Sequence, residues 1–384
     1  MSTEKTIVIL GGGIGGIVTA RELRKNLGTQ HHIILIDKQP VFAFSPSFLW
    51  VMIGWRTPEV IQKSLSLLEK YGIEFRQAVV EEISPGDKTI RTNHGLLNYD
   101  YLVVALGAEL APENVPGLEE SAPTFYSLGG AIELYGMLRE FSGGRIAIVV
   151  SDLPYKGPPA PYEAAFLLES FFRRRGEPEK QIEIYTPEST PFASTGSDAG
   201  SRITSMLHDR KITLRTGKTI SSVDKSRKVL SFRDGTSAET DLVIMVPPHR
   251  PSAPIRTSGL ADESGWIPVD PKTLRSPVTD VFAIGDAATI SLPNGMSLPK
   301  EGVFAANQAE VVANIIAVEM NGYGFRKEFT GSWFWFVETG DGRAGYISGN
   351  VYSDAPGAVV FHEPNVTYHW GKVVFEKYWL WRWF

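Results

Sequence analysis

The chain has 384 residues, a formal net charge of −5 and an ordinary mix of 43% hydrophobic and 21% charged residues. That composition predicts a soluble protein of two or three domains with a large core, and the lack of a basic block argues against a nucleic-acid partner. There is no cysteine, which excludes a redox disulfide, a persulfide, a thiolate nucleophile and a cysteine-linked flavin. The seven histidines are scattered without metal-ligand spacing, so no metal site is expected.

The first stretch, KTIVILGGGIGGIVTARELRKNLGTQHHIILID, carries the strongest signal. A β-branched run over Ile7–Leu10 leads into glycines at 11, 13 and 16, then a helical pattern (Ile17, Ala20, Leu23, Leu27) and a second apolar run ending at Asp37. This is a βαβ unit for a dinucleotide. Gly11 allows the tight turn, Gly13 lets a pyrophosphate approach the backbone, and Gly16 lets helix and strand pack closely. The helix N-terminus offers free N–H groups to the phosphates, and Asp37 stands where a ribose hydroxyl would donate. The start at Thr6 without a charged and apolar leader, and the lack of a run of about 18–20 apolar residues, predict a cytoplasmic location.

Further along, Val41–Arg56 is too apolar for an exposed loop. It breaks at Ser45-Pro46-Ser47, looks helical over Phe48–Ile53, and serves either to cover a flat aromatic ligand or to pack the core. Glu59–Tyr71 reads as an amphipathic helix, Gly72–Phe75 and Val79–Ile83 as strands, and Lys88–Thr92 with Leu97–Tyr99 as a hairpin. Tyr101–Leu106 reads as a buried parallel strand ending in Gly107. A second α/β unit follows: helix Leu128–Phe141, strand Arg145–Val150, helix Tyr162–Arg175, strand Gln181–Thr186 and helix Gly200–Arg210. Strands are expected at Ile212–Gly217, Ser221–Asp224, Lys228–Phe232 and Asp241–Val246. Val281–Ala288 reads as a strand with Gly285-Asp286 at a turn, and a helix runs from about Val303 to Met320. The last 60 residues are aromatic-rich with glycine turns.

The second unit lacks a phosphate loop. After Val150 the chain reads SDLPYKGPPAP; its four prolines remove N–H donors from the place that must cradle a pyrophosphate, and Asp152 adds a repelling charge. The electron donor is therefore expected not to be a nicotinamide.

Six stretches in order, GGGIGG, FSPSFLW, PYKGPPAPYEAA, FAIGDAA, LPKEGVFAANQA and WGKVVFEKYWL, resemble the sulfide:quinone oxidoreductases and the flavoprotein subunit of flavocytochrome c sulfide dehydrogenase. More distantly they resemble type-II NADH dehydrogenases. The resemblance implies an α/β protein with two Rossmann-like domains of glutathione-reductase type and a small C-terminal α+β domain that docks on a membrane or a cytochrome subunit. The expected layout is an FAD-binding domain over 1–110 and 247–322, a second Rossmann-like domain over 111–246, and a docking domain over 323–384.

By the same resemblance, Asp286 holds the ribityl and phosphate end of FAD. Lys300 sits by the flavin pyrimidine and the quinone, where a lysine beside a helix N-terminus would stabilise the negative charge of reduction; the bland alternative is a solvated surface lysine. Glu163 is expected near the donor-side face, moving protons, with stabilisation of its own helix N-terminus as the alternative. Glu163 and Lys300 are the expected catalytic residues. Besides the glycine loop and Asp37, the expected FAD contacts are Lys38, Pro46, Ala105, Gly107, Gly285, Asp286, Lys300 and Gly302.

The sequence departs from the resemblance where sulfur is handled. Gly157 stands at a family cysteine, and residues 329–342, with Trp333, Phe334 and Trp335, hold no second one. Some members attach flavin through a cysteine near Ser45–Ser47; here FAD is expected to be held non-covalently. The resulting expectation is an FAD-dependent oxidoreductase that passes electrons from a small donor, sulfide or a related compound by family default, to a quinone-like acceptor without a cysteine relay. Two rivals are a degenerate FAD-binding assembly subunit and an NADH:quinone dehydrogenase, the latter disfavoured by the proline-rich loop.

The closing segment crowds Phe375, Tyr378, Trp379, Trp381, Trp383 and Phe384 among Lys372, Lys377 and Arg382. It suits a bilayer headgroup layer, on the cytoplasmic face, or else seals a domain or a homo-oligomer interface.

Overall fold

A computed structural model describes residues 4–118, 123–177, 179–193, 197–353 and 358–384. The first three residues of the 1–110 segment and short stretches within 111–246 and 323–384 lie outside the described residues.

The N-terminal βαβ unit forms as its pattern dictates. Strand Thr6–Leu10 lies at the centre of a five-stranded parallel sheet, with His32–Asp37 and Glu74–Gln77 on one side and Tyr101–Val104 and Val281–Ala283 on the other. The strands are apolar on both faces because helices cover one face and a second apolar cluster the other. Helix Ile14–Asn26 follows the glycine turn and packs along helix Gly302–Asn321. The latter is long and apolar enough to cross a bilayer, contrary to the sequence expectation that no segment would be. Its apolar side chains, Val311, Val312, Ile315 and Ile316 among them, are instead buried inside the protein.

The second unit is a four-stranded parallel sheet, Thr213–Arg215, Gln181–Tyr185, Arg145–Val150 and Leu242–Val246 in spatial order. An antiparallel sheet of Ile220–Asp224, Val229–Phe232 and Ser237–Glu239 is added to it. The chain passes between the two parallel sheets twice, at Ala108–Leu110 and His249–Pro251, and these segments pair antiparallel. The fold is thus the two-unit α/β architecture expected.

One local expectation is corrected: Glu59–Tyr71 is not one helix, because two 3-10 turns, Pro58–Ile61 and Leu65–Tyr71, flank a strand Gln62–Ser64 that pairs with Val41–Ala43. The aromatic C-terminal region is ordered as a three-stranded antiparallel sheet, Ser332–Glu338, Ala344–Asn350 and Val359–Asn365, followed by an 18-residue helix, Val366–Trp383. The Asn365 side chain caps that helix by accepting from the Tyr368 N–H.

Candidate functional site

A cavity of about 420 Å³ opens at the carboxyl ends of the first sheet, where successive connections leave the central strand in opposite directions. That is the usual ligand position in such sheets. Gly11 adopts φ +105°, and a Cβ there would lie 2.3 Å from the Ala105 carbonyl oxygen; one on Gly16 would lie 1.9 Å from that of Gly11. Neither lines the cavity; both are glycine because the turn closes on itself. Gly13 does line it, and a Cβ there would meet no atom within 4 Å. The loop thus presents bare backbone to an open space, the shape a pyrophosphate needs. Asp37 accepts from the Gly12 N–H at 2.6 Å and the Gln39 N–H at 2.7 Å. An ionised carboxylate keeps spare lone pairs for a further donor.

Pro46, Ala105 and Gly107 line the walls; Gly285, Asp286 and Gly302 line the opposite side. Gly285 takes φ +62° and donates its N–H to the buried Gln308 side chain. Lys38 is the exception among the expected contacts. Its side chain points to solvent at the strand end, and its neighbour Gln39 faces the cavity instead.

Lys300 is no surface lysine: only 5% exposed, it lines the cavity, donates to the Asp286 carbonyl oxygen at 2.7 Å and lies 3.4 Å from the Trp266 ring centre. Burial pulls its ammonium down to about 8, against the attraction of Asp286. Glu163 is also 5% exposed and lines the cavity. Its carboxylate does not serve its own helix terminus; it accepts from Lys372 Nζ and from the Glu338 N–H, both at 2.6 Å. Burial still raises it above the ordinary range, with Lys372 opposing. Lys372, read from sequence as a headgroup-facing cation, is therefore a buried ion-pair partner, 209 positions from Glu163.

The Val41–Arg56 stretch packs the core, one of its two expected roles, and also forms part of the cavity wall. Phe44, Phe48 and Trp50 are buried and also line the cavity. Phe42 stacks on Trp379 of the C-terminal helix, and Phe44 packs against the same ring at a tilt. Glu376 of that helix is fully buried, accepting from Ser47 Oγ at 2.5 Å and Arg56 Nε at 3.1 Å. The closing aromatics therefore divide. Trp379, Trp383 and Phe384 seal the core, while Val366, Trp370, Val374, Tyr378 and Trp381 stand exposed at helical spacing along one face, Trp381 by 74%.

The sequence reading missed Tyr126, Lys156, Glu301, Lys372 and Glu376. Burial, together with the charges of Asp286 and Glu163, pushes Glu301 up to about 8, although the Gly302 N–H opposes. Glu301 caps the long helix, and an acid just before that helix is the one signal that could have found it.

The proline-rich loop bends away from any phosphate cradle. Gly157 donates its N–H to the Lys300 carbonyl oxygen at 2.8 Å, pinning the loop to the first unit. In the first turn of the following helix the Ala160 N–H is spent on the Gly157 carbonyl, and Pro161 has none. At the end of strand Gln181–Tyr185, Glu188 is buried and accepts from the hydroxyls of Tyr155 and Tyr162 at 2.9 and 2.6 Å. Side chains fill the mouth of this second sheet.

The profile of the family described as "Pyridine nucleotide-disulphide oxidoreductase" matches residues 5–149 and 164–309. The sulfide-quinone reductase of Aquifex aeolicus is 26% identical over 98% of this chain and 91% of its own length. Its solved structure superposes with a TM-score of 0.89, covering 99% of this chain and 91% of that one. The type II NADH:quinone oxidoreductase of Staphylococcus aureus is 23% identical over 83% of each chain.

Proposed function

The chain belongs to the pyridine nucleotide-disulphide oxidoreductase family and is an FAD-dependent oxidoreductase, and on that premise we propose that it carries electrons from a small, non-nicotinamide donor to a quinone. FAD, when bound, supplies two-electron acceptance from the donor and release to the acceptor. The glycine loop and the Ile14–Asn26 helix terminus receive the pyrophosphate, with Gly13 giving the close approach. Asp37 accepts from the adenosine ribose and Asp286 from the ribityl end. Lys300 holds positive charge at the long helix's N-terminus, where negative charge gathers on reduction. Glu163, raised by burial and paired with Lys372, is a carboxyl at the cavity wall that can take up a proton and return it.

One observation supports a donor other than nicotinamide: the second unit's first loop has four prolines without an N–H, spends the Gly157 and Ala160 N–H groups on Lys300 and Gly157, and is pinned at Lys300. Quinone as acceptor draws on the relatives, both of which are named for it. The test is anaerobic mixing of the yellow protein with sulfide or NADH, followed by a soluble quinone. Bleaching by sulfide within the dead time of hand mixing, recovery with quinone, and no bleaching by NADH at about 100 μM are expected. Rapid bleaching by NADH overturns the donor assignment.

The exposed face Trp370, Val374, Tyr378 and Trp381 supports docking on a bilayer surface, with the quinone reached from there. Each large apolar side chain that leaves water contributes about 1.5–3 kcal/mol. Trp370→Ser with Trp381→Ser should therefore cut co-flotation with liposomes more than about tenfold and leave thermal stability unchanged. Equal flotation of the double variant overturns the docking face.

A further inference from the structure

Glu163 can trade protons only if something connects it to water. It is 5% exposed even in the open cavity, and a seated flavin covers that side. Behind it lies a second buried acid. The Glu338 N–H donates to the Glu163 carboxylate at 2.6 Å, and the Glu338 side chain is fully buried and near enough for its charge to push Glu163 up. Among the described residues the hydrogen-bond partner of the Glu338 carboxylate is His369, whose Nδ1 lies 2.9 and 3.1 Å from its two oxygens. His369 stands one turn before Lys372 on helix Val366–Trp383, so one helix face reaches both acids. Neither Glu338 nor His369 lines the cavity. The imidazole is 14% exposed, the most open of the four side chains, and Trp50 and Trp55 meet it edge to face. A carboxylate only accepts, so Nδ1 carries the ring proton and Nε2 is the nitrogen left for water.

Packing does not call for this pair: apolar side chains in place of a buried ion pair are often neutral or stabilising. We propose that His369 and Glu338 form the route by which protons pass between solvent and Glu163, with His369 at its outer end. Inward, water gives a proton to Nε2, and the Nδ1 proton moves to the Glu338 carboxylate. The Glu338 carboxyl then protonates Glu163, directly or through a water. The ring, now carrying its proton on Nε2, resets by exchange with water. The net change is one proton moved from solvent to Glu163, and release runs the same steps backward. The route rests on the proton role given to Glu163 above. His369 and Glu338 act through that residue and are positioning residues, not catalytic ones.

The test follows electrons and protons separately and needs neither the proposed donor nor a quinone. Photoreduced holoprotein is mixed anaerobically with ferricyanide, which removes two electrons from each flavin and accepts no proton, so the proton held by the reduced flavin must leave. Flavin absorbance reports the electrons, and a pH-indicator dye in unbuffered solution reports the proton. In the wild type the two signals should coincide. His369→Gln keeps a hydrogen-bond donor for Glu338 but cannot carry a proton through. It should delay the proton roughly tenfold or more behind the flavin signal, with flavin content and melting temperature unchanged. Glu338→Gln should do the same, and it decides alone if His369→Gln loses flavin. Glu163→Gln, at the inner end, should delay the proton as well. Coincident signals in His369→Gln or Glu338→Gln beside a delay in Glu163→Gln overturn the route and leave the role of Glu163 standing. No delay in Glu163→Gln removes that role, and the route with it.

Discussion

Gly13→Ala will give a folded protein that has lost most of its FAD. At this position φ is −81° and ψ −170°, which any residue adopts, and a Cβ would meet no protein atom within 4 Å. Gly13 is the helix N-cap, where Ala is worse than Gly by about 0.5–1 kcal/mol. Against this, Ala lowers the entropy of the unfolded chain by about 0.4–1 kcal/mol, so the stability of the free protein should hardly change. The new methyl nevertheless occupies the direction from which a pyrophosphate meets the loop N–H groups. Losing that approach should raise the dissociation constant about 100-fold, or about 2.7 kcal/mol. Gly16→Ala will behave differently. Its methyl would lie 1.9 Å from the Gly11 carbonyl, a backbone atom that cannot swing aside. Overpacking of this kind costs about 1–3 kcal/mol or more, so this variant should be colourless and also thermally weaker. Flavin absorbance per mole of protein and the melting temperature of the flavin-free forms separate the two. A yellow Gly13→Ala protein with wild-type affinity would remove the glycine loop as the cofactor cradle.

The contrast between these glycines shows what kind of information the chain carries locally. The turn, the close packing and the phosphate approach are all properties of backbone geometry within about ten residues, so the spacing of three glycines encodes them. The strand Tyr101–Val104 and the second unit's sheet were legible for the same reason: continuous apolar runs mark strands buried on both faces. Glu59–Tyr71 misled because Ile61, Leu65 and Leu68, all buried, recur at spacings of three and four. Two 3-10 turns interrupted by a strand produce much the same spacing as a helix. The C-terminal helix was hidden by its own composition. Val366, Thr367, Tyr368, Trp370, Val373 and Val374 are residues that favour strands, and tertiary packing of Trp379, Leu380 and Trp383 overrides that preference.

Side-chain partnerships were the least legible part of the site. Lys300 was found through the resemblance of LPKEGVFAANQA, and its place before a helix start only supplied a physical reason for the role. Tyr126, Lys156 and Glu376 were missed because each acquires its meaning from residues on other elements. Ser47 and Glu376, 329 positions apart, share a hydrogen bond that neither sequence neighbourhood announces. A lysine in a run of aromatic residues reads as a cation at an interface until the structure supplies its buried carboxylate.

That carboxylate makes Lys372 the residue whose loss the fold should feel most. Lys372→Met leaves Glu163, 5% exposed, with the Glu338 N–H as its remaining hydrogen-bond donor. Removing one partner of a buried pair costs about 3–5 kcal/mol because the other charge stays desolvated. The loss has a sign in pH. In the wild type the Glu163 carboxyl already titrates above its ordinary 4.5, and without the lysine it must rise further. A carboxyl whose folded value exceeds its unfolded value favours the native state most when protonated. The stabilisation is therefore complete below about 4.5 and is lost progressively as pH climbs through the folded value. Lys372→Met should consequently approach wild-type stability near pH 4.5 and fall furthest behind it near pH 8. Glu163→Gln combined with Lys372→Met places two neutral side chains in contact and should recover most of the deficit at pH 8. Thermal melts of the four proteins at the two pH values form a double-mutant cycle. Additive losses with no pH dependence would mean that the C-terminal helix is held by its other contacts, the aromatic ones with Phe42 and Phe44 and the Glu376 bonds to Ser47 and Arg56, and that the proton next to the cavity is not governed by the Glu163–Lys372 pair.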